Sequence, residues 1–224
     1  MQQKKVFLYL HGFASSPQSS KAKFFLEKAF SESWDISIPD LNYPSFEKMT
    51  LSSQLELAKQ KIKEQLSISA SESLILIGSS MGGLLAALLS TELKKEISAL
   101  ILMAPAFALS RRWQKLWGES ALERWQQNGF LELFHYGYMQ DRKLERSFLD
   151  DMENHQTESV KISVPTLVLH GKSDEIVSVQ ESLDFERLNS DFVDLCILDD
   201  DHQLLSSLPR IWQETLRFLQ KIEK

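Results

Sequence analysis

Leu74-Ile75-Leu76-Ile77-Gly78-Ser79-Ser80-Met81-Gly82-Gly83 is followed by Leu84, Leu85, Leu88 and Leu89. The four apolar residues at 74–77 read as a buried strand, and the leucines beyond Gly83 recur at helical spacing. Between them stands a Gly-x-Ser-x-Gly turn. A serine on a sharp strand-to-helix turn is held in the open, where a neighbouring base can activate an otherwise weak nucleophile. Gly78 and Gly82 are expected because side chains there would collide with the adjoining backbone, and Ser80 is expected in a strained, sparsely populated conformation. Three fixed positions alone match by chance in about one chain in fifteen of this size. The strand before and the helix after are what single out Ser80 as the candidate nucleophile.

The same alternation extends on both sides. Val6-Phe7-Leu8-Tyr9-Leu10 is continuously apolar, as a strand covered on both faces must be, and Gly12 closes it. A helix is expected over 21–30, capped by Ser19 or Ser20, with Phe24, Phe25 and Ala29 on its apolar face. A short strand over 35–38 ends at Pro39, and Thr50 or Ser52 starts a helix to about residue 66 carrying Leu51, Leu55, Ala58 and Ile62. Beyond the turn come a helix over 81–94, strands over 99–103, 166–170 and 193–198, and a closing helix over 203–221. Strands alternating with helices imply right-handed crossovers. The expected architecture is an α/β fold, a mostly parallel sheet of about six strands flanked by helices, with ligands bound beyond the carboxyl ends of the strands.

Residues 107–158 interrupt this order within what reads as one domain over 1–224. The segment concentrates Trp113, Trp117, Trp125, Phe130, Phe134, Tyr136 and Tyr138, and is expected to form a helical cap inserted above the reactive rim. Trp113 or Trp117 then lines a substrate pocket. The alternative is that these aromatics only pack helices.

Net charge is −6, and the pairs Lys4-Lys5, Lys94-Lys95 and Arg111-Arg112 are too short to make a basic face, so no nucleic-acid partner is expected. Cys196 is the single cysteine, which excludes an internal disulfide, points to the cytoplasm and reads as a small buried hydrophobe. The apolar run at 6–10 is shorter than a secretory core of about 7–15 residues, and no run approaches the roughly 18 needed to span a bilayer. No grouping of cysteine and histidine has the number of ligands zinc requires, and no cofactor is expected. Oligomeric state leaves no mark in the sequence.

A serine nucleophile needs a base within hydrogen-bond reach and a carboxylate to orient that base. Of five histidines, His202 is best placed, in the loop Leu198-Asp199-Asp200-Asp201-His202 after the last strand. His135 and His155 fall in the inserted segment and His170 at a strand end, while His11 reads as an anchor of its own loop. Asp174 follows the strand at 166–170 and completes the chain order Ser, Asp, His expected on such a sheet. Glu175 and the three aspartates before His202 compete, though immediate neighbours rarely present a side chain to the far nitrogen of the ring. Two backbone N–H groups should meet the developing oxyanion, one from Met81 at a helix start and one from Phe13, where Gly12 permits close approach.

Taken together, Leu8-Tyr9-Leu10-His11-Gly12-Phe13, Ser15-Ser16-Pro17, Ser19 with Lys21-Ala22, Ile38-Pro39, the turn at 78–83 and residues 171–177 resemble the α/β-hydrolase superfamily, more narrowly the small bacterial YqiA-like esterases. The resemblance implies esterase activity with Ser80, Asp174 and His202 as the triad. Asp199, Asp200 and Asp201 depart from the family's glycine-rich approach to the histidine, and residues 107–158 are longer than in its smallest members. The expectation is a carboxylesterase or thioesterase that forms an acyl-enzyme on Ser80 from a small or medium acyl ester. The alternative is a small-molecule binding protein on the same scaffold.

Overall fold

The computed structural model of the protein describes residues 5–223, and for residues 109–116 the backbone course alone. Six strands form one parallel sheet: β1 (Val6–Leu10), β2 (Asp35–Ser37), β3 (Leu74–Ser79), β4 (Ile97–Met103), β7 (Thr166–Gly171) and β8 (Val193–Leu198). The order across the sheet is β2-β1-β3-β4-β7-β8. The chain therefore steps outward from β1 to β2 and then returns to the other side of β1 with β3. That reversal makes the carboxyl ends of β1 and β3 the topological switch point, the place beyond which open α/β sheets bind their ligands.

Alternation along each strand divides the core in two. Phe7, Tyr9, Ile75, Ile77, Ile101 and Leu169 face one side, covered by helices α1 (Ser20–Ser31) and α7 (Leu208–Ile222) through Ala22, Phe25, Ile211, Trp212 and Phe218. Leu8, Leu10, Leu76, Leu100, Leu102 and Val168 face the other. There they meet α2 (Leu51–Ser69), α3 (Met81–Glu92) and Phe185 of α6 (Val179–Leu188). Local signals set the helix starts. Ser19 caps α1 by accepting the Ala22 N–H, and Thr50 and Ser53 form a reciprocal capping box at the start of α2. Among the described residues no helix is long and apolar enough to cross a membrane.

Between β4 and β7 lie α4 (Leu109–Asn128), an antiparallel hairpin of β5 (Phe130–His135) and β6 (Gln140–Glu145), and α5 (Ser147–Met152). The helical expectation holds for α4, which breaks at Gly118 (φ 70°, ψ 166°), whereas the hairpin is an element that reading did not contain. Trp125, Leu144, Phe148 and Met152 join the core on the α2–α3 side. Polar ties reach the same way: Ser52 donates its backbone N–H and its hydroxyl to the Asp151 carboxylate at 2.8 and 2.6 Å, and the Glu145 N–H donates to the Glu47 carbonyl. Two further expectations are corrected. The last helix begins at Leu208 rather than 203, because Asp200 accepts the Ser207 N–H and holds the intervening residues as a loop. Cys196 is half-buried, since β8 is an edge strand.

Candidate active site

Ser80 joins β3 to α3 with φ 54° and ψ −117°, a region that L-residues avoid. The conformation is imposed from several sides. Its N–H donates to the Met103 carbonyl at 2.9 Å, and its carbonyl accepts from Gly83, Leu84 and Ala106. A Cβ at Gly82 would overlap the Leu10 carbonyl, and one at Gly78 the Gly82 carbonyl, so α3 lies directly on the backbone of β1 and β3. Ser79 points into the core beside the buried Tyr9, whose phenol it hydrogen-bonds, while Ser80 is partly exposed. A Cβ at Gly12 would stand 3.3 Å from the Ser80 Cβ and 3.9 Å from its Oγ, which places the loop after β1 beside the serine. Met81, in the first turn of α3, carries one of the N–H groups that a helix start leaves without an internal acceptor.

Asp174 and His202, far apart in sequence, meet at the same rim: His202 Nδ1–H donates to Asp174 Oδ2 at 2.7 Å. The other carboxylate oxygen accepts the N–H groups of Ile176 and Val177 at 2.9 and 2.7 Å. Burial pushes the Asp174 carboxyl up, but hydrogen bonds from His170 and His202 outweigh it, and the group is held well below the usual carboxylate range. The competing aspartates are occupied elsewhere. Asp200 accepts from the Asp201 and Ser207 N–H groups, Asp201 from the Gln203 N–H, and Asp199 pairs with Lys172.

His170 is the participant that sequence reasoning missed. It is fully buried, donates from Nε2 to the Val177 carbonyl at 2.9 Å, approaches Asp174 Oδ2 at 3.2 Å, and meets the Ser182 hydroxyl at Nδ1 at 2.7 Å. Its only local signal is its place at the end of β7, four residues before the acid. Lys21, at the start of α1, faces Asp174, Asp200 and Asp201; burial lowers its pKa to about 8, against the pull of those carboxylates. His11 anchors its loop as expected, accepting the Leu41 N–H at Nε2 and contacting the Gly12 carbonyl through Nδ1.

Of the two tryptophans, Trp117 lies 6.5 Å, centroid to centroid, from Phe13 and stacks edge-on with Trp125. The Trp113 side chain lies outside the described residues. Among the described residues no group of three or more histidine, cysteine or acidic side chains could hold a metal ion.

The family model described as an uncharacterised protein family, UPF0227, matches residues 6–220. The chain belongs to UPF0227. For this UPF0227 protein the resemblance to YqiA-like α/β-hydrolases is thereby borne out. Solved structures agree on the fold. A protein from Agrobacterium vitis S4 is 24% identical with a TM-score of 0.83, the match covering 97% of this chain and 89% of that one. Est1E from Butyrivibrio proteoclasticus is 20% identical with a TM-score of 0.81 over 99% and 89%. Mouse alpha/beta hydrolase domain-containing protein 10 is 22% identical with a TM-score of 0.78 over 99% and 92%. No curated protein matches the sequence of the UPF0227 chain.

Proposed function

We propose that the protein is a serine hydrolase that cleaves a carboxylic ester or thioester through an acyl-enzyme on Ser80. The observation that carries the reading is the 2.7 Å bond between His202 and a buried Asp174, at the rim where the strained Ser80 follows β3. Asp174 accepts from Nδ1–H, so the other ring nitrogen of neutral His202 is free of a proton and can serve as the base. It takes the proton from Ser80 Oγ as that oxygen attacks the acyl carbon. The negative charge moves to the carbonyl oxygen, which the N–H groups of Phe13 and Met81 stabilise. Collapse expels the alcohol or thiol with the proton from His202. Water, deprotonated by the same ring, then attacks the acyl-enzyme, and breaking the bond to Ser80 Oγ releases the acid and restores the serine.

Residues 107–158 act in this reading as a cap over the site, with Trp117 on the acyl side. The position of Trp117 beside Phe13 supports that role. Within this scheme Ser79 has no chemical part, because it is buried against Tyr9.

The test is a panel of p-nitrophenyl esters and acyl-thioesters of graded length. It includes a hydroxycinnamate ester, because the Est1E structure has been solved with ferulic acid bound. Hydrolysis by the wild type and by Ser79→Ala, together with its loss in a folded Ser80→Ala protein, is the expected result. Wild-type rates in Ser80→Ala refute the mechanism, and a folded wild type that binds but cleaves none of the panel favours the binding-protein reading.

A further inference from the structure

The loop after β1, residues 11–16, has no regular structure of its own, and Ala14 within it stands at φ 50° without being glycine. A conformation of that kind persists only when neighbours enforce it. One neighbour is the hairpin turn, where the Gly137 N–H donates to the Ala14 carbonyl at 3.3 Å. Another is Asn42, between β2 and α2, whose buried Nδ2 donates to the Ser15 carbonyl at 2.9 Å and to Asp40 Oδ1 at 2.8 Å. Both amide hydrogens are thus used, and the remaining atom, Oδ1, faces His135 Nε2 at 3.3 Å.

His135 is the last residue of β5 and is completely buried. Its Nδ1 accepts the Tyr138 N–H at 3.1 Å, so in the neutral ring the proton lies on Nε2, aimed at Asn42 Oδ1. Burial, with the nearby His11 adding to it, lowers the His135 pKa to about 4, which keeps the ring neutral near pH 7. Tyr138 stacks on one face at 3.9 Å and Phe46 meets the ring edge-on at 4.5 Å, so the imidazole cannot turn without displacing both. An inverted Asn42 amide would set N–H against N–H at His135 and oxygen against oxygen at Ser15. The Ser15 carbonyl, the Asp40 carboxylate and His135, the last from the inserted hairpin, together fix the orientation of that one amide.

We propose that Asn42 is a positioning residue for the Phe13 oxyanion N–H, with His135 helping to hold its amide in the working orientation. The inference rests on the hydrolase reading above, which gives the Phe13 N–H its role. It assigns the inserted hairpin a part in the chemistry and not in substrate selection alone. An oxyanion donor acts on the transition state more than on bound substrate, so misplacing it lowers kcat and leaves KM nearly unchanged. Deleting such a donor costs about 10²–10³ in kcat, and displacing it costs a part of that.

The experiment compares full-length wild type, Asn42→Ala, Asn42→Ser, His135→Phe and His135→Gln. Steady-state kinetics on a p-nitrophenyl ester are normalised to sites titrated with a fluorophosphonate, and amide hydrogen exchange is followed over residues 11–16 and over α3. Asn42→Ala and His135→Phe are expected to lower kcat roughly 10–100-fold with KM within about twofold, and to speed exchange at 11–16 but not in α3. His135→Gln, which keeps a donor, should recover part of kcat, and Asn42→Ser serves if the alanine variant does not fold. A purely structural role predicts fewer titratable sites with normal kcat per site. Normal kcat per site in Asn42→Ala, or unchanged exchange at 11–16, overturns the inference alone. No hydrolysis by the wild type overturns the hydrolase reading, and the exchange data then decide whether Asn42 and His135 hold the loop at all.

Discussion

Replacing Ser80 by glycine should leave a more stable protein than replacing it by alanine. Both changes remove the hydroxyl and differ only in the Cβ. At φ 54° and ψ −117° that Cβ is what makes the backbone costly, by about 1–3 kcal/mol for a non-glycine residue in such a region. Glycine removes the strain but gives the unfolded chain more freedom, which returns about 0.4–1 kcal/mol. The central values, about 2 and about 0.7 kcal/mol, leave a balance of about 1.3 kcal/mol in favour of glycine. With an unfolding entropy of about 2.1 cal/mol/K per residue, a chain of 224 residues shifts its melting temperature by roughly 2 °C per kcal/mol. Calorimetry should therefore place Ser80→Gly about 2–3 °C above Ser80→Ala, with neither hydrolysing ester. If the alanine variant melts at or above the glycine variant, the turn is not strained and the argument from its conformation fails.

Asp174→Asn should lower kcat by about 10³–10⁴, since an amide cannot hold the productive tautomer of His202. Asp200→Asn and Asp201→Asn should keep most activity, and kinetics that rank Asp200→Asn below Asp174→Asn would falsify the acid assignment. The Asp174 carboxyl is held below its unfolded value of about 3.9, so it stabilises the native state above that pH and ceases to do so as pH falls through its lower, native value. Urea titrations should show the stability gap between wild type and Asp174→Asn constant from pH 7 to 5 and shrinking below about pH 4. Trp117→Ala should flatten the rise of kcat/KM with acyl length, which for a fully apolar wall is about 0.8 kcal/mol per methylene. An unchanged slope in the chain-length series makes Trp117 a packing residue.

The sheet was legible because its strands are covered on both faces and therefore read as unbroken apolar runs such as 6–10 and 74–77. The elbow was legible because glycine is forced wherever backbone meets backbone, as at Gly82 against Leu10. Asp174 could be reached from strand ends and chain order, whereas His170 could not, because its partners Ser182 and Val177 are brought to it only by tertiary packing. The hairpin stayed hidden for a different reason. β6 is Gln140-Asp141-Arg142-Lys143-Leu144-Glu145, in which only Leu144 is buried, so it offers little alternation to detect. Helix α6 was passed over similarly, since it buries only Ser182 and Phe185. The start of α7 was set too early because nothing local announces that Asp200 reaches forward to Ser207.

Gly82 against the Leu10 carbonyl has a consequence for how the molecule comes apart. The serine half of the rim is fastened by main chain touching main chain, between β1, β3 and α3, and can loosen only when the centre of the sheet does. Asp174 and His202 ride on the connections after β7 and β8, toward the edge of the sheet, where Gly171 lies against the Asp200 and Asp201 carbonyls and side chains tie Asp174 to His170 and Asp200 to the Ser207 N–H. Under rising urea those loops should open before the central strands do. Hydrolysis should vanish while the circular dichroism of the sheet is still native, and return on dilution faster than any refolding step. Such a protein would be switched off by loosening long before it is unfolded.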